Sequence, residues 1–592
     1  MPHRRESLSP TALPTAPPLG VALRRALAAG YGLADLRADL LAGTVVGIVA
    51  LPLSMALAIA VGVPPQHGLY TAIIGGTVAA LSGGSKFQVT GPTAAFVVIL
   101  APIVHRHGLS GLLTAGMLAG AILVAMGVAR LGRLVNFIPY PVTTGFTAGI
   151  AAVIAVLQIK DVLGLEIAHM PDHFTGKVAA MWGARGSASV AEVAVAAATL
   201  ALLVFLPRIL RRVPAPLPAL ALVAFVVWAF AVPVATLGSR FQTTIEGHVV
   251  SGIPPFAPRP GLPWGSSGLS LALLGELAPA AFAIAMLGAI ESLLSAVVAD
   301  GMTGKHHDPD AELVGQGLAN LAAPFFGGIA ATGALARTAT NVRAGARSPV
   351  AAVVHAGVVL AAILLVAPVV SYVPMASLAG LLLLVAWNMS EARHLRRMLR
   401  VAPKSDVLVL LTCFTLTVAF DMVIAVSVGI VLAALLFMRR MAELTHGRVV
   451  PDALQPETDY AVPPQVVVYE ISGALFFGAA QNAMNALGAI GAHTKVVILG
   501  LGRVPVIDAT GLVALESALE LLHRQRQFVI IAGPLPEPRR VFERSELDTR
   551  LDHVIFAPDL DQALSIAANL VALNPQWRLP AEVARPLNPP VS

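Results

Sequence analysis

Long apolar segments alternate with short polar ones over the first three quarters of the chain. About fourteen apolar segments can be distinguished, in two sets of seven separated by a polar interval rich in Pro and Gly at residues 237–268. A bilayer-spanning helix needs about 20 apolar residues, so this pattern predicts a polytopic α-helical membrane protein. The segments begin near Leu40, Gly68, Thr90, Gly111, Leu134, Val190 and Leu217, and then near Leu277, Leu313, Thr332, Val350, Met375, Val407 and Met422.

Two of these segments are interrupted at corresponding places in the two halves. The first break is residues 90–93 (TGPT), and the second contains Thr332 and Gly333. The apolar run that follows the first break, residues 94–104, is too short to cross a bilayer, so each break predicts the N-terminus of a half-length helix, with Pro92 in the first turn and Thr as the cap. Matched broken helices, whose N-termini attract anions, indicate the substrate site of a transporter. The alternative is that both breaks are ordinary loops between spans.

Two ionisable residues lie inside the predicted spans, Glu291 in the eighth segment and Arg337 after the second break. A charge at the bilayer centre costs about 3 kcal/mol, so such residues usually face a transport pathway or an ion partner. Ser295 lies one helical turn beyond Glu291 on the same face, which favours a proton or cation site. The alternative is a buried Glu–Arg pair that only locks two helices together.

A second domain is predicted after the last apolar segment. Prolines mark a linker at 441–464, and alternating patterns then predict strands at 465–471, 495–501 and 527–532 and helices at 479–490 and 510–525. The chain therefore divides into an N-terminal tail with an interfacial helix (1–36), a transmembrane domain (37–440), the linker, an α/β domain (465–573) and a C-terminal tail (574–592). We expect both tails to be disordered, with no cleavable signal at the N-terminus.

Composition and charge agree with a membrane protein. The 592 residues are 56% hydrophobic and 12% charged, and the only cysteine is Cys413 in an apolar run, which excludes disulfides and cysteine-based metal sites. The net charge of +6 suggests nucleic acid, but the Lys and Arg residues lie between spans and are concentrated on the side that holds both termini. Cytoplasmic loops carry such an excess, so both termini are expected in the cytoplasm and no nucleic-acid partner is expected.

Candidate enzymatic and metal sites are weak. His306, His307 and Asp308 are metal-ligand types, but they lie in one short polar loop without a further ligand nearby, so we interpret them as a solvated loop and expect no cofactor. The chain has no pattern of a nucleophile with a base, a metal cluster or a phosphate loop, so we do not expect an enzyme.

Several motifs resemble those of the SulP family, the bacterial branch of solute carrier family 26, over nearly the whole chain. They are residues 50–56 (ALPLSMA), 62–70 (GVPPQHGLY), 83–93 (GGSKFQVTGPT), 291–294 (ESLL) and 337–346 (RTATNVRAGA). The C-terminal domain is similar to the STAS domain of that family, where residues 508–511 (DATG) match an Asp-x-Ser/Thr-Gly turn.

This resemblance implies fourteen spans as seven-plus-seven inverted repeats in a UraA-like arrangement, followed by a cytoplasmic STAS domain. A core of spans 1–4 and 8–11 would move against a gate of spans 5–7 and 12–14, giving elevator-type alternating access. The resemblance further implies a homodimer in the bacterial inner membrane. A remote alternative is a membrane-anchored signalling protein whose STAS domain does the work, with an unknown protein partner.

The resemblance also implies the site. Carried over to this chain, the anion site would be lined by Pro52, Leu53, Met55, Leu57, Thr90, Gly91, Thr93, Phe96, Gly333, Ala334 and Arg337. Glu291, with Ser295 as a second ligand, matches a carboxylate that some bicarbonate carriers of the family use for sodium. A Glu at this position fits a proton at least as well, so we expect proton coupling, with sodium as the less favoured ion.

The runs 288–294, 300–304 and 385–392 most resemble bacterial carriers of C4-dicarboxylates such as succinate, fumarate and aspartate. Sulfate and bicarbonate are the alternative substrates. In the STAS domain, Thr510 matches a residue that is phosphorylated in regulatory STAS proteins. The simpler interpretation is that the Thr510 hydroxyl caps a helix while Asp508 holds the turn.

Overall fold

The computed structural model describes residues 19–576, except 134–137, 168–169, 172, 210–213, 246–247, 266–267, 421, 451–461, 477–479, 481–482, 485–486, 488–489, 491–492, 548–552 and 575. Both predicted disordered ends lie largely outside the described residues, and so do residues 451–461 of the predicted linker and seven of the twelve residues of the predicted helix 479–490. The chain divides into two compact units, residues 1–433 and 434–592.

Helices make up nearly all of the first unit. In chain order they are α1 (Val21–Ala28), α2 (Leu33–Val61), α3 (Pro65–Tyr70), α4 (Gly76–Ser82), α5 (Ala94–Val128), α6 (Tyr140–Leu163), α7 (Phe174–Gly183), α8 (Val190–Ile209), α9 (Pro216–Ala229), α10 (Leu237–Arg240), α11 (Leu271–Thr303), α12 (Pro309–Ala322), α13 (Leu335–Arg343), α14 (Val350–Val370), α15 (Met375–Met389), α16 (Ala392–Val401), α17 (Lys404–Ala419) and α18 (Met422–Leu444), which ends in the second unit. A π-helical turn (Thr71–Gly75) joins α3 to α4, and 3₁₀ turns follow α7 and α12. Between α10 and α11, strands β2 (Gln242–Ile245) and β3 (His248–Ser251) pair antiparallel.

Within the described residues, eight helical stretches are long and apolar enough to cross a membrane, and one of them, Met375–Val401, is α15 taken together with α16. The shorter predicted segments coincide with α3 and α4, α9, α12, α13 and α17. The third and fourth predicted segments form one helical run, α5, which is broken at Gly108, where φ is 65° and ψ is −169°. A positive φ suits glycine because it has no Cβ.

The two halves pack on each other in a symmetric exchange. Helix α2, the first predicted span, packs against α14, the eleventh, and α5, whose second part is the fourth span, packs against α11, the eighth. The two pairings are therefore equivalent when the two sets of seven are exchanged. Strand β1 (Thr90–Gly91) pairs antiparallel with β4 (Thr332–Gly333), so that Thr90 lies opposite Gly333. Antiparallel pairing of equivalent positions agrees with the inverted repeats. These elements, with α3, α4, α12 and α13, form the core, whereas α6, α8, α9, α15 and α17 pack together as the gate.

The prediction of how the two half-helices begin was wrong in detail. Helix α5 begins at Ala94 and α13 at Leu335, so the Thr-Gly pairs precede the helices and form the short strands β1 and β4. Pro92 therefore lies outside the first turn, and neither helix has a side-chain cap. Strand pairing requires an extended backbone at these positions, which is incompatible with a helical turn.

A buried carboxylate on α12 holds the segment that leads into β1. Glu312 is 2% exposed, and its Oε2 accepts hydrogen bonds from the backbone N–H groups of Gly84 and Ser85, both at 2.9 Å. Its Oε1 accepts from the side chains of Gln88 at 2.7 Å and Gln316 at 2.9 Å. This network holds the strand-forming segments against α12, because each buried donor would otherwise lack a partner.

The second unit contains a five-stranded sheet. Its strands are β5 (His446–Val449), β6 (Val466–Ser472), β7 (Val496–Arg503), β8 (Phe528–Ala532) and β9 (Val554–Ala557), in that spatial order. Strands β6 to β9 are parallel, and β5 adds antiparallel to β6. Separate apolar clusters lie on the two faces of the sheet: α19 (Ala509–Arg524) and α20 (Pro536–Arg544) contribute to one, and α21 (Leu560–Leu573) to the other. The three predicted strands and the helix 510–525 are confirmed.

Candidate functional site

A cavity of about 290 Å³ lies between the core and the gate of the first unit. Its core wall consists of Leu53, Leu57, Pro92, Thr93, Ala94, Ala95, Leu287, Ile290, Glu291, Leu294, Ala334, Leu335, Ala336 and Arg337. Its gate wall consists of Phe146, Thr147, Ile150, Val385, Asn388 and Met389, with Glu391 beyond the end of α15. Most of the lining is apolar, so the few polar and charged groups decide what the cavity binds.

Two helix N-termini meet at this cavity. Ala94 and Ala95 begin α5, and Leu335 and Ala336 begin α13, and all four residues line the space. The first N–H groups of a helix have no partner within the helix, and each N-terminus carries roughly half a positive charge. The pairing of β1 with β4 brings the two ends together, so the cavity has two positive poles from backbone alone.

Arg337 adds a full positive charge to the core wall. The side chain is 1% exposed, and its Nη2 donates to the Ser54 hydroxyl and to the Pro92 carbonyl, both at 3.1 Å. Within the described part of the chain, its Nε and Nη1 have no hydrogen-bond partner. A buried guanidinium with unused donors is strongly suited to an anion, because unpaired buried donors are costly.

Glu291 faces the same cavity from α11. Its Oε2 accepts a hydrogen bond of 2.8 Å from the Thr93 hydroxyl, at the N-terminal end of α5. Among the described residues, no ion pair within 4.0 Å joins Glu291 to Arg337, although the two charges interact across the cavity. The arrangement therefore does not support the interpretation of a Glu–Arg lock.

Pro52 and Met55 do not line this cavity, although Leu53 and Leu57 do. Both residues lie on another face of α2 and line a second, apolar cavity of about 450 Å³ beside α9 and α14. Leu53 and Leu57 are four residues apart and share one helix face, whereas Pro52 and Met55 are rotated away from it.

The remaining predicted positions lie behind the cavity wall. The Thr90 hydroxyl accepts from Gln316 at 2.7 Å, and Phe96 packs against Gly288 of α11. Gly91 lies against the Arg337 guanidinium, and Gly333 lies against the Gln88 side chain. The Ser295 hydroxyl donates to Thr338 of α13 at 3.0 Å, so the structure turns the predicted second coupling ligand toward a neighbouring helix and not toward the cavity.

The residues of the gate wall were not predicted from the sequence. Phe146, Thr147 and Ile150 come from α6, and Asn388 and Met389 come from the end of α15. Nothing in the local pattern separates these residues from other apolar or small polar positions in a span. Ser54, which accepts a hydrogen bond from Arg337, was not predicted either, although it lies within the 50–56 motif.

The histidine loop has structural partners. His307 Nδ1 lies 2.7 Å from Asp300 Oδ2, and Asp308 caps α12 by accepting from Ala311 N–H at 3.1 Å. His306 is exposed. Within the described residues, no group of three or more metal-ligating side chains is found.

In the second unit, the cap of α19 is Asp508 and not Thr510. Asp508 Oδ1 accepts from Gly511 N–H at 2.7 Å, whereas Thr510 is exposed in the first turn. The prediction that the Thr510 hydroxyl caps this helix was therefore wrong, because the carboxylate one position before the helix already occupies the free N–H group.

Comparison with known families gives two matches. Residues 36–413 match the family described as "Sulfate permease family", and residues 457–563 match the STAS domain. A Bacillus subtilis protein named "Putative sulfate transporter YvdB" is 41% identical over 524 residues, covering 88% of this chain and 95% of that protein. The bicarbonate transporter BicA of a Picosynechococcus species is 31% identical over 523 residues, covering 85% of this chain and 89% of that protein.

Solved structures agree with the fold. The transmembrane domain of a cyanobacterial BicA superimposes with a TM-score of 0.58 at 28% identity, covering 68% of this chain and 98% of that domain. The structure of SLC26A9 superimposes with a TM-score of 0.79, covering 97% of this chain and 99% of the other. Its identity of 17% supports the fold alone.

Proposed function

Because the chain belongs to the sulfate permease family and carries a STAS domain, we propose that it is a secondary active transporter that moves a small divalent anion together with a proton. The observation that carries this proposal is the convergence of two helix N-termini and the Arg337 guanidinium on one cavity that also contains Glu291. Its activity is transport and not enzymatic catalysis, and it requires no cofactor.

The charge of the cavity supports a link between proton and anion. Two helix N-termini contribute roughly half a positive charge each, and Arg337 contributes one more. With Glu291 ionised the sum is about +1, and with Glu291 protonated it is about +2. A dianion is therefore matched only when Glu291 carries a proton, whereas a monovalent anion is matched when it does not.

This charge argument bears on the substrate. Succinate, fumarate and sulfate are divalent near neutral pH, and bicarbonate is monovalent. The names of the relatives point to sulfate and bicarbonate, and the sequence motifs point to C4-dicarboxylates. We propose C4-dicarboxylates as substrates. Sulfate is the alternative divalent anion, and bicarbonate is the alternative monovalent anion. Sodium coupling is less favoured, because the Ser295 hydroxyl is bonded to Thr338 and does not line the cavity that contains Glu291.

The two walls of the cavity support an elevator movement. Glu291, Arg337 and both helix N-termini belong to the core, whereas the gate contributes mainly apolar and small polar side chains from α6 and α15. Sliding of the core along such a wall would carry the anion site with it while breaking few polar contacts. We further propose a homodimer in a bacterial inner membrane with both termini in the cytoplasm.

Purified protein in vesicles tests the proposal. Uptake of labelled succinate should be faster with an inward proton gradient than without one, and unlabelled dianions should compete more strongly than bicarbonate. Uptake of sulfate without any dicarboxylate uptake would select the alternative dianion. Uptake of bicarbonate alone would contradict the charge argument, and uptake driven only by sodium would contradict the choice of the proton as coupling ion. Retention of function after Glu291→Gln and Arg337→Ala, with loss on deletion of residues 465–573, would favour a signalling role for the STAS domain.

A further inference from the structure

Helix α16 has the composition and the exposure of a membrane-surface helix. It lies between α15 and α17, and none of its residues is buried. Its four arginines, Arg393, Arg396, Arg397 and Arg400, are all exposed. At 3.6 residues per turn they fall within an arc of about 100° on one side of the helix, whereas Leu395, Met398 and Leu399 lie on the opposite side. Such a helix lies in the interface plane of a bilayer.

The surroundings of the four arginines carry little negative charge in the part of the chain that the structure describes. Among the described residues, none of the four forms an ion pair with a carboxylate, although arginines elsewhere on the surface do so, as Arg439 does with Glu443. Four unpaired guanidinium groups on one face form a surface of single sign. Positively charged residues next to a membrane are attracted to acidic lipid headgroups, and the attraction is strongest at the cytoplasmic leaflet.

The same helix is joined to the transport cavity. Asn388, Met389 and Glu391, which directly precede α16, line that cavity. In the first turn of α16, His394 Nε2 lies 2.9 Å from the Tyr140 hydroxyl at the start of α6. The two rings also meet edge to face, with centroids 5.5 Å apart. A contact that restricts the movement of α16 therefore also restricts the end of α15 and the start of α6, the two gate helices that line the cavity.

We propose that α16 binds the headgroups of anionic phospholipids in the cytoplasmic leaflet, and that this contact fixes the cavity-lining end of the gate. The arginine face meets the phosphates, and the face of Leu395 and Leu399 enters the boundary between headgroups and acyl chains. The binding part of this proposal does not depend on which anion is carried. The effect on the gate rests on the proposed transport function.

Trp387 provides a direct readout of the lipid beside α16. It is 69% exposed at the end of α15, and the chain has five tryptophans. The full chain with Trp182, Trp228, Trp264 and Trp577 replaced by Phe is reconstituted in phosphatidylcholine vesicles containing brominated phosphatidylglycerol or brominated phosphatidylcholine. Quenching of Trp387 then measures the relative affinity of the two lipids. We expect a preference of at least about fivefold for phosphatidylglycerol, which corresponds to the attraction of one arginine.

Matched variants separate charge from folding. Arg396→Gln with Arg400→Gln should remove most of this preference, and Arg396→Lys with Arg400→Lys should keep it. Arg524→Gln with Arg544→Gln, a double neutralisation of exposed arginines in the second unit, should leave it unchanged. The proposal would be overturned if the two lipids quenched Trp387 equally in the chain that keeps all its arginines. It would also be overturned if Arg524→Gln with Arg544→Gln lost the lipid preference as fully as Arg396→Gln with Arg400→Gln.

Two further measurements use the chain with all its tryptophans. Electron paramagnetic resonance with spin-labelled phosphatidylglycerol should show a larger immobilised fraction than with phosphatidylcholine, and the Gln double variant should reduce it. The initial uptake rate should rise several-fold as phosphatidylglycerol increases from 0 to about 30% of the lipid, and this rise should be absent from the same variant. Lipid preference without a change in rate would contradict the link to the gate while leaving the proposed transport function intact.

Discussion

The Thr93 hydroxyl donates a hydrogen bond of 2.8 Å to Glu291 Oε2, across 198 positions of sequence. This bond joins the N-terminal end of one half-helix to the helix that carries the only carboxylate of the described core wall. Protonation of Glu291 therefore changes the charge directly beside the proposed anion site.

Glu291→Gln should uncouple uptake from the proton gradient. The amide keeps an acceptor oxygen for Thr93 but can no longer gain or lose a proton, so anion binding should remain measurable. Vesicle uptake measured at several external pH values should become flat in this variant. Glu276→Gln is the matched control, because Glu276 lies on the same helix but its side chain is 65% exposed. A full pH response in Glu291→Gln would rule out the assigned coupling role.

Arg337→Gln should weaken substrate binding by roughly 10- to 150-fold, since a hydrogen bond to a charged group contributes about 1.5 to 3 kcal/mol. The change also removes the one full positive charge that lies beside the two helix N-termini. Binding is measured by the substrate-dependent rise in thermal stability of the purified protein. Arg343→Gln serves as control, because Arg343 is exposed on the same helix. Equal substrate affinities in the two variants would show that Arg337 does not contribute to substrate binding.

Gly91→Ala should disturb the anion site without a change in charge. A Cβ at this position would overlap the Nη1 atom of Arg337, so the guanidinium must move away from Ser54 and Pro92. We expect at least a tenfold loss of substrate affinity in the same thermal assay. Gly357→Ala is the comparison, because no other group lies within 4 Å of a Cβ built there. That variant should retain affinity and gain up to about 1 kcal/mol in stability.

Glu312→Ala should lower the unfolding temperature strongly. The change leaves four hydrogen-bond donors without their acceptor, and each unsatisfied buried group costs about 1 to 3 kcal/mol. Scanning fluorimetry of the detergent-solubilised protein measures the effect. Glu443→Gln, which removes only an exposed pair with Arg439, should change stability by less than about 0.5 kcal/mol. A similar small change for Glu312→Ala would show that this network contributes little.

Asp508→Ala should loosen the first turn of α19, whereas Thr510→Ala should not. Loss of an N-cap costs about 1 kcal/mol, so amides of that turn should exchange with solvent roughly fivefold faster. Hydrogen–deuterium exchange of peptides within 509–524 in the full-length protein makes this comparison. Faster amide exchange in Thr510→Ala, and not in Asp508→Ala, would show that Thr510 is the cap.

Much of the architecture was predictable from local properties of the sequence. Apolar segments near the length of a bilayer define the spans, and the cost of charge in lipid singles out Glu291 and Arg337. The Gly and Pro breaks mark the two half-helices, because these residues interrupt regular structure in any context. After residue 464, short apolar runs that alternate with helical patterns predict the α/β domain, because a parallel sheet is built from short strands that are connected by helices.

The tertiary structure decided which side chains meet. The rotation of α2 about its own axis places Leu53 and Leu57 in the cavity and turns Pro52 and Met55 toward a second one, and an apolar helix carries no polar stripe to indicate that rotation. Likewise, Ser295 bonds to Thr338 and Thr93 to Glu291. Such choices depend on contacts between helices far apart in sequence, and no local pattern contains them.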